Sequence, residues 1–216
     1  PAHDHLSTMG ELLKHQGFAT FFFYGGYGYF DNMNAYYAAN NYRVVDRTDI
    51  PKDKVGFENV WGVADEYLFD HAIRTLDDSS EKGTDGKPFF AQIMTTSNHR
   101  PFTYPDGRID IPSPGKREGG VKYTDYAIGQ FLEQARQKPW FDNTIFIFVA
   151  DHTAGSAGKE DLLVAEEYAN GKLDWYSFDL ADAPSLGGTR TVRQIKPKRN
   201  CVRTWGYWML TYRCVI

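Results

Sequence analysis

The sequence predicts an α/β domain in which helices cover both faces of a mostly parallel β-sheet. Apolar segments of strand length alternate with segments whose apolar residues recur every three or four positions. The continuous apolar run Thr144–Ala150 is typical of a central parallel strand that is covered on both faces. The most regular helical pattern spans residues 121–138. Alternation at this spacing is typical of a sheet between two layers of helices.

The other elements follow in order along the chain. A capping box from Thr8 to Glu11 predicts the start of the first helix, which we expect to end at Gly17. Residues 18–24 predict a buried strand, and residues 31–34 precede a short helix ending near Ala39. The remaining predicted elements are a strand at residues 42–45, a polar loop at 46–58, a helix at 63–76, a surface loop at 77–87, a strand at 88–95 and a Pro- and Gly-rich loop at 104–120.

Charge is unevenly distributed along the 216 residues. The formal net charge of −4 argues against a nucleic-acid partner. From Ala183 to Ile216, however, the chain has seven Lys or Arg residues and no Asp or Glu. We therefore expect a main domain at residues 1–168 and an atypical basic tail at residues 169–216, which is either non-native sequence or poorly ordered.

Cysteine usage and hydropathy leave the cellular compartment open. Cys201 and Cys214 form no metal-type pair, and a disulfide or two unrelated thiols are both compatible with their positions. No apolar run approaches the length of a membrane helix, and the first residues do not resemble a signal peptide. These features fit either a cytosolic protein or a piece whose targeting segment lies elsewhere.

Polar residues follow the predicted strands where ligands gather in such sheets, beyond the strands' carboxyl ends. Asp151 and His152 come directly after the apolar run. A carboxylate and an imidazole suit a divalent cation such as manganese or zinc. The alternative is an Asp that caps the next turn beside an exposed His.

A second polar cluster, Asn98-His99-Arg100, follows the strand predicted at residues 88–95. A His and an Arg at a strand end can bind a phosphate or protonate a leaving group. An ordinary surface loop explains the same residues.

A third cluster is the aromatic, glycine-rich stretch at residues 24–32. Its glycines would let the backbone approach a ligand closely, although it lacks the Walker pattern. Its aromatic side chains could stack on a sugar, line a lipid path or pack on the core. No nucleophile-elbow pattern is present, and Ser156 fits a flexible loop better than a nucleophile.

Six stretches, taken together and in order, resemble the lipoteichoic-acid-synthase-like branch of the sulfatase and alkaline phosphatase superfamily. They are FYGGYGYFDNMN at residues 23–34, WGVAD at 61–65, KPFF at 87–90, TSNHRPF at 96–102, YTD at 123–125 and ADH at 150–152. The resemblance runs from about residue 6 to residue 168. It implies an alkaline-phosphatase-like sheet, incomplete at both ends, and a partial sulfatase-like catalytic domain at residues 1–168.

The resemblance also implies a mechanism. A threonine nucleophile takes phosphoglycerol or phosphoethanolamine from a phospholipid head group, and a phospho-enzyme passes it to a glycan or lipid acceptor. A divalent metal, manganese or else zinc, activates the threonine. Asp151 and His152 match the late metal-ligand pair, and His99 matches a histidine that contacts the substrate phosphate. With Arg100, Tyr24 and Asp31, His99 makes up the expected substrate-binding set.

Several family features have no counterpart in this sequence. The nucleophilic threonine, the first metal-binding acid and the membrane helices are expected upstream of the matching region. We therefore expect no catalytic nucleophile in the chain, and a membrane link through segments outside it. The implied location is the cell envelope, on the extracytoplasmic face of the bacterial inner membrane.

Other departures affect specificity and the tail. The family's head-group pocket is matched here by Tyr24, Gly26, Asp31 and Met33, which differ from the synthase residues. No histidine follows His152, whereas the family has a further metal-binding histidine. Two alternatives stay open: a sulfatase or phosphodiesterase-type hydrolase, and a non-catalytic module that binds a head group.

Overall fold

The computed structural model describes residues 6–80, 83–150 and 208–214, with Ala150 and the last segment described by their backbone alone. The strands are β1 Ala19–Tyr24, β2 Arg43–Val45, β3 Glu58–Asn59, β4 Gly62–Val63, β5 Phe89–Met94, β6 Thr144–Ala150 and β7 Trp208–Cys214. The α-helices are α1 Met9–His15, α2 Met33–Ala39, α3 Asp65–Asp77 and α4 Arg117–Ala135. Short 3₁₀ turns lie at Phe30–Asn32, Arg47–Asp49, Lys52–Lys54 and Phe141–Asn143.

The main sheet has five strands in the order β2-β1-β5-β7-β6. β1 pairs in parallel with β2 and β5, and Phe21 lies opposite both Arg43 and Ala91. β7 runs antiparallel to its neighbours β5 and β6. β6 therefore points in the same direction as β1, β2 and β5, and only β7 opposes them among the described strands.

Helices cover both faces of this sheet, as the sequence predicts. On one face, α3 and α4 pack on alternate residues of β1 and β5, with Phe21, Phe23 and Ile93 fully buried. On the other face, Leu13 of α1 packs with Phe22 and other side chains of β1, β2 and β5. Every residue of β1 is buried. Burial on both sides explains why β1 and β5 are mostly apolar and, apart from Thr20 and Gln92, show no polar alternation.

The first helix and the first strand agree with the sequence. The backbone N–H of Glu11 donates to the side-chain oxygen of Thr8 at 3.1 Å, so Thr8 is the N-cap of α1. β1 begins one residue later than expected and ends where predicted. Helix α4, however, starts at Arg117 rather than at residue 121. The sequence places Gly119 and Gly120 in a loop because glycine disfavours helices, but both are buried inside α4.

The predicted position of β6 in the sheet is wrong. Within the described residues β6 is an edge strand that pairs only with β7, whereas a central parallel position was expected. Phe146 and Phe148 pack towards the helical core, but Ile145, Ile147 and Val149 are 41–47% exposed. The strand that separates β6 from β5 comes from residues 208–214, and no local pattern around β6 indicates that pairing.

The tail contributes one described element. Trp208–Cys214 forms β7, the strand between β5 and β6. The rest of residues 169–216 lies outside the described residues, so the division at residue 168 stays a prediction. No helix in the described ranges is both long and apolar enough to cross a membrane.

Candidate functional site

The candidate site lies at the carboxyl ends of β1 and β5. These strands are parallel neighbours that end in register, with Tyr24 opposite Met94. The glycine-rich loop leaves β1 at this edge, and the segment that contains His99 leaves β5 beside it. Two of the three polar clusters that the sequence indicates are therefore brought together at one edge of the sheet.

Asp65 organises the turn that follows β5. One of its carboxylate oxygens accepts hydrogen bonds from the backbone N–H groups of Thr96 at 2.9 Å and Ser97 at 3.0 Å. The other accepts from the hydroxyl of Thr124 at 2.8 Å. In return, the N–H of Asp65 donates to the hydroxyl oxygen of Ser97 at 3.0 Å. One fully buried carboxylate thus joins the first residue of α3, the β5 turn and α4.

Burial and hydrogen bonding act on the pKa of Asp65 in opposite directions. Burial raises the pKa because a charged carboxylate loses its hydration inside the protein. The donors on Thr96, Ser97 and Thr124 lower it, but the effect of burial is larger. Since Asp65 is fully buried and bonded to the turn, its role is to position the turn.

His99 lies in that turn and packs against an aromatic side chain. Its ring centroid is 3.9 Å from that of Trp61, and Trp61 in turn makes an edge contact with Phe30 at 5.6 Å. The Nδ1 atom of His99 lies 3.2 Å from the carbonyl oxygen of Arg100, which also accepts a hydrogen bond from the indole N–H of Trp61. His99 is half-buried and the side chain of Arg100 is exposed.

Glycines let the β3–β4 hairpin approach the loop after β1. A Cβ on Gly26 would lie 2.2 Å from the carbonyl oxygen of Trp61, which leaves no room for one. Gly62 has a φ of +132°, and a Cβ there would lie 2.1 Å from the carbonyl oxygen of Gly25. The N–H of Val63 donates to the same Gly25 oxygen at 3.0 Å. These close contacts position Trp61 beside His99.

Asp46 anchors the far side of the loop. Its carboxylate accepts hydrogen bonds from the N–H of Gly28 at 2.9 Å, the side-chain amide of Asn34 at 3.0 Å and the N–H of Thr48 at 2.8 Å. Burial tends to raise the pKa of Asp46, but these hydrogen bonds outweigh burial and the pKa is lowered. Asp46 is therefore a charged support for the loop.

Tyr24 and Asp31, the two predicted substrate contacts near this loop, have different environments. Tyr24 is 3% exposed and packs with Phe22 and Tyr37 in the core, where burial and the charge of Asp31 raise its pKa. Its buried ring packs against the loop. Asp31 is exposed, and its φ of 49° places it in the left-handed region.

The predicted metal ligands Asp151 and His152 follow the end of β6 and lie outside the described residues. Ala150, the last residue of β6, and Met94, the last residue of β5, both pair with the start of β7. Two strand spacings separate them, which is about 10 Å. The residue before Asp151 therefore lies at the same end of the sheet as the segment that contains His99.

The donor chemistry of this pair fits a divalent cation, since a carboxylate oxygen and an imidazole nitrogen suit manganese or zinc. Residues 6–80, 83–150 and 208–214 contain no group of three His, Cys, Asp or Glu side chains that could bind a metal.

Sequence reasoning assigned no role to three residues that shape the site: Trp61, Asp65 and Thr124. Each lies in a stretch that supports the family resemblance, and that membership is the sequence feature that could have identified them. Their partners lie far away in sequence, since Asp65 and Thr124 are 59 residues apart.

Comparisons with known proteins show which family this chain resembles. A model of the sulfatase family matches residues 1–186. Phosphoglycerol transferase I from Xanthomonas campestris is 24% identical over 175 residues, which cover 75% of this chain and 24% of that protein. Lipoteichoic acid synthase 2 from Bacillus subtilis is 24% identical over 159 residues, which cover 70% of this chain and 23% of the synthase. The chain thus spans about a quarter of the length of these relatives.

A solved structure shares the fold. A protein in the alkaline phosphatase superfamily from Vibrio parahaemolyticus superimposes with a TM-score of 0.64 and 37% sequence identity, over 72% of this chain and 38% of that one. This match confirms the predicted α/β fold class. Because the sulfatase model covers most of its length, the chain belongs to the sulfatase family, within the alkaline phosphatase superfamily.

Proposed function

We propose that this chain forms part of a metal-dependent transferase. The enzyme would move phosphoglycerol or phosphoethanolamine from a phospholipid head group to a glycan or lipid of the cell envelope. The observation that carries the proposal is the shared edge of the sheet, where β5 leads into His99 and β6 leads into Asp151 and His152. The names of the transferase relatives support the same reaction class.

Asp151 and His152 are proposed to bind the metal ion, manganese or else zinc. Once bound, such an ion would polarise the phosphoryl oxygens and lower the pKa of an attacking hydroxyl. That hydroxyl is proposed to belong to a threonine outside these 216 residues, which would form a phosphothreonine intermediate. Two protein ligands bind a metal weakly, so we expect the chain alone to have little or no activity.

His99 is proposed to contact the substrate phosphate. Contacts with the ring of Trp61 and with the carbonyl oxygen of Arg100 orient its ring. A proton on Nδ1 would complete the hydrogen bond to that carbonyl. The other ring nitrogen, Nε2, is the atom proposed to reach a phosphate oxygen. The exposed guanidinium of Arg100 would add a positive charge beside it.

Asp31 is proposed to help select the head group. It is exposed beside the loop, so its carboxylate is available to the hydroxyls of glycerol or the ammonium of ethanolamine. Tyr24 is proposed to act indirectly, because its buried ring sets the position of the loop. Both roles assume that the donor lies on the glycine-rich loop. The proposed location is the extracytoplasmic face of the bacterial inner membrane.

One observation favours a second candidate, a non-catalytic module that binds a head group. His99, Trp61 and Arg100 form a polar and aromatic surface among the described residues. Binding of glycerol phosphate that is indifferent to EDTA would favour this module.

The test uses the chain together with the sequence that its gene encodes upstream of Pro1. Release of the head group from phosphatidylglycerol would be followed with and without manganese. We expect manganese-dependent turnover that Asp151→Ala and His99→Ala each reduce by at least about a hundredfold. An Asp70→Ala variant, which changes an exposed hydrogen bond between α3 and α4, serves as the control. Unchanged turnover in Asp151→Ala would refute the proposed metal role.

A further inference from the structure

Large apolar side chains are exposed around the candidate site. Tyr29 is 80% exposed and Val60 is 84% exposed, while Tyr27 and Phe30 are 46% and 43% exposed. Together with half-buried Trp61 they form a surface that we name the aromatic rim. The rim comes from two separate pieces of chain, the loop after β1 and the turn of the β3–β4 hairpin.

The two pieces of the aromatic rim meet through their side chains. Phe30 contacts Trp61 edge to face at 5.6 Å, and Tyr29 and Val60 immediately precede these two rings in the sequence. Trp61 also contacts His99 at a centroid distance of 3.9 Å. The rim is therefore continuous with the proposed phosphate contact.

Hydrogen bonds fix the backbone on which the rim is built. In the loop, the N–H of Phe30 donates to the carbonyl of Tyr27 at 3.0 Å. In the hairpin, the N–H of Trp61 donates to the side-chain oxygen of Asn59 at 2.8 Å. The indole N–H of Trp61 is also paired, with the carbonyl oxygen of Arg100. The exposure of the rim thus belongs to an ordered structure.

The composition of the rim favours a lipid partner over a sugar. Aromatic rings stack on sugars, but an aliphatic side chain such as Val60 gains nothing from a hydrated glycan. Tyr and Trp prefer the boundary between lipid and water, where the ring is buried and the polar tip stays hydrated. An exposed Val beside them suits the acyl region just below that boundary.

The charges beside the rim indicate how it would bind. Asp31 follows Phe30 and Arg100 contacts Trp61 through its carbonyl oxygen; both side chains are exposed and carry opposite charges, so this pair gives the rim no net charge. Binding would then depend on buried apolar area, and we expect it to persist at high salt.

We propose that the aromatic rim inserts into a phospholipid surface and brings His99 to the level of the lipid head groups. The inference rests on the proposed function, because it identifies the donor as a lipid that stays in its bilayer. Tyr29 and Val60 would enter the interface, while Trp61 would lie between the acyl chains and His99. The phosphate would reach the site without extraction of the whole lipid.

The test measures flotation of the purified chain with two kinds of vesicle, pure phosphatidylcholine and an equal mixture with phosphatidylglycerol. A Tyr29→Ser and Val60→Ser double variant is compared with Leu12→Ser. Leu12 is 53% exposed on α1 and is not part of the rim. Circular dichroism checks that all variants are folded. We expect the double variant to bind both vesicles more weakly by on the order of tenfold, and Leu12→Ser to bind like the wild type.

Several results would overturn the proposal. One is a wild type that binds neither vesicle, and another is a double variant that binds as well as the wild type. A third is binding to the mixed vesicles alone that about 0.5 M salt abolishes, because screening by salt would then indicate attraction between charges rather than insertion. If the wild type binds a soluble glycan but no vesicle, and the double variant loses that glycan binding, the rim would be assigned to a sugar. Because flotation requires no turnover, a failed transferase assay would leave this result intact.

Discussion

Replacement of Asp65 by Ala tests the architecture of the site most severely. The variant removes the acceptor for three donors, which are the backbone N–H groups of Thr96 and Ser97 and the hydroxyl of Thr124. All of these residues are at least 92% buried, since Thr96 is 8% exposed and the others less. Water reaches such groups poorly, so each donor loses its partner without replacement.

The expected cost follows from those unpaired donors. A buried donor left without an acceptor costs about 1–3 kcal/mol, so three of them at the lower end give roughly 3 kcal/mol. Asp65→Asn keeps an acceptor oxygen for the two backbone donors, while its amide group faces Thr124, whose hydroxyl can then accept. We expect Asn to cost only about 1 kcal/mol.

Urea unfolding followed by circular dichroism measures both variants. Asp70→Ala is the control on the same helix, because its hydrogen bond to Gln134 is exposed, and we expect a change below about 0.5 kcal/mol. A loss of less than about 1 kcal/mol in Asp65→Ala would refute the reasoning. So would an Asn variant as unstable as the Ala variant.

Three further predictions concern the loop and its neighbours. Gly26→Ala should cost at least about 2 kcal/mol in urea unfolding, because its Cβ would meet a carbonyl oxygen at 2.2 Å, whereas Gly129→Ala in α4 should be neutral or stabilising. Asp46→Asn should cost about 1–3 kcal/mol at pH 7. Since hydrogen bonds lower the folded-state pKa of Asp46 below its usual 3.8, this difference should shrink as the pH falls below 3.8 in acid unfolding. Trp61→Ala should weaken glycerol phosphate binding about three- to tenfold in calorimetry, because His99 loses its ring contact. Unchanged affinity would indicate that His99 does not contact the phosphate.

The sequence predicts the local elements well where a residue's own neighbours determine its structure. β1 and β5 are recognisable because both faces are buried, which leaves no polar residue in either strand's centre apart from Thr20 and Gln92. The start of α1 is recognisable because Thr8 caps it through a contact three residues away. These features need no knowledge of the rest of the chain.

Pairing and side-chain contacts over long separations could not be predicted in the same way. β6 was expected at the centre of the sheet, but its neighbour β7 lies nearly sixty residues later, at Trp208–Cys214. Gly119 lies inside α4, and a Cβ there would meet the hydroxyl of Tyr104 at 2.1 Å. Its small size therefore serves tertiary packing. A local pattern registers such a glycine only as a helix breaker.

The site shows the same division. His99 was identified because it follows a strand end, and the family resemblance gave it a role. Asp65 and Trp61, which position it, were missed because their contacts with the β5 turn span more than thirty residues. A buried Asp at a helix start looks, from sequence, like an ordinary helix-terminal acid.

The central claim is that Asp151 and His152 bind one metal ion and that His99 contacts the phosphate at the same site. Calorimetric titration of glycerol phosphate into the purified chain, with manganese or with EDTA, tests it most directly. We predict binding that manganese strengthens and that Asp151→Ala and His99→Ala both weaken by about tenfold or more, whereas Asp70→Ala leaves it unchanged. Binding that is the same in manganese and EDTA, and unaffected by Asp151→Ala, would contradict the claim.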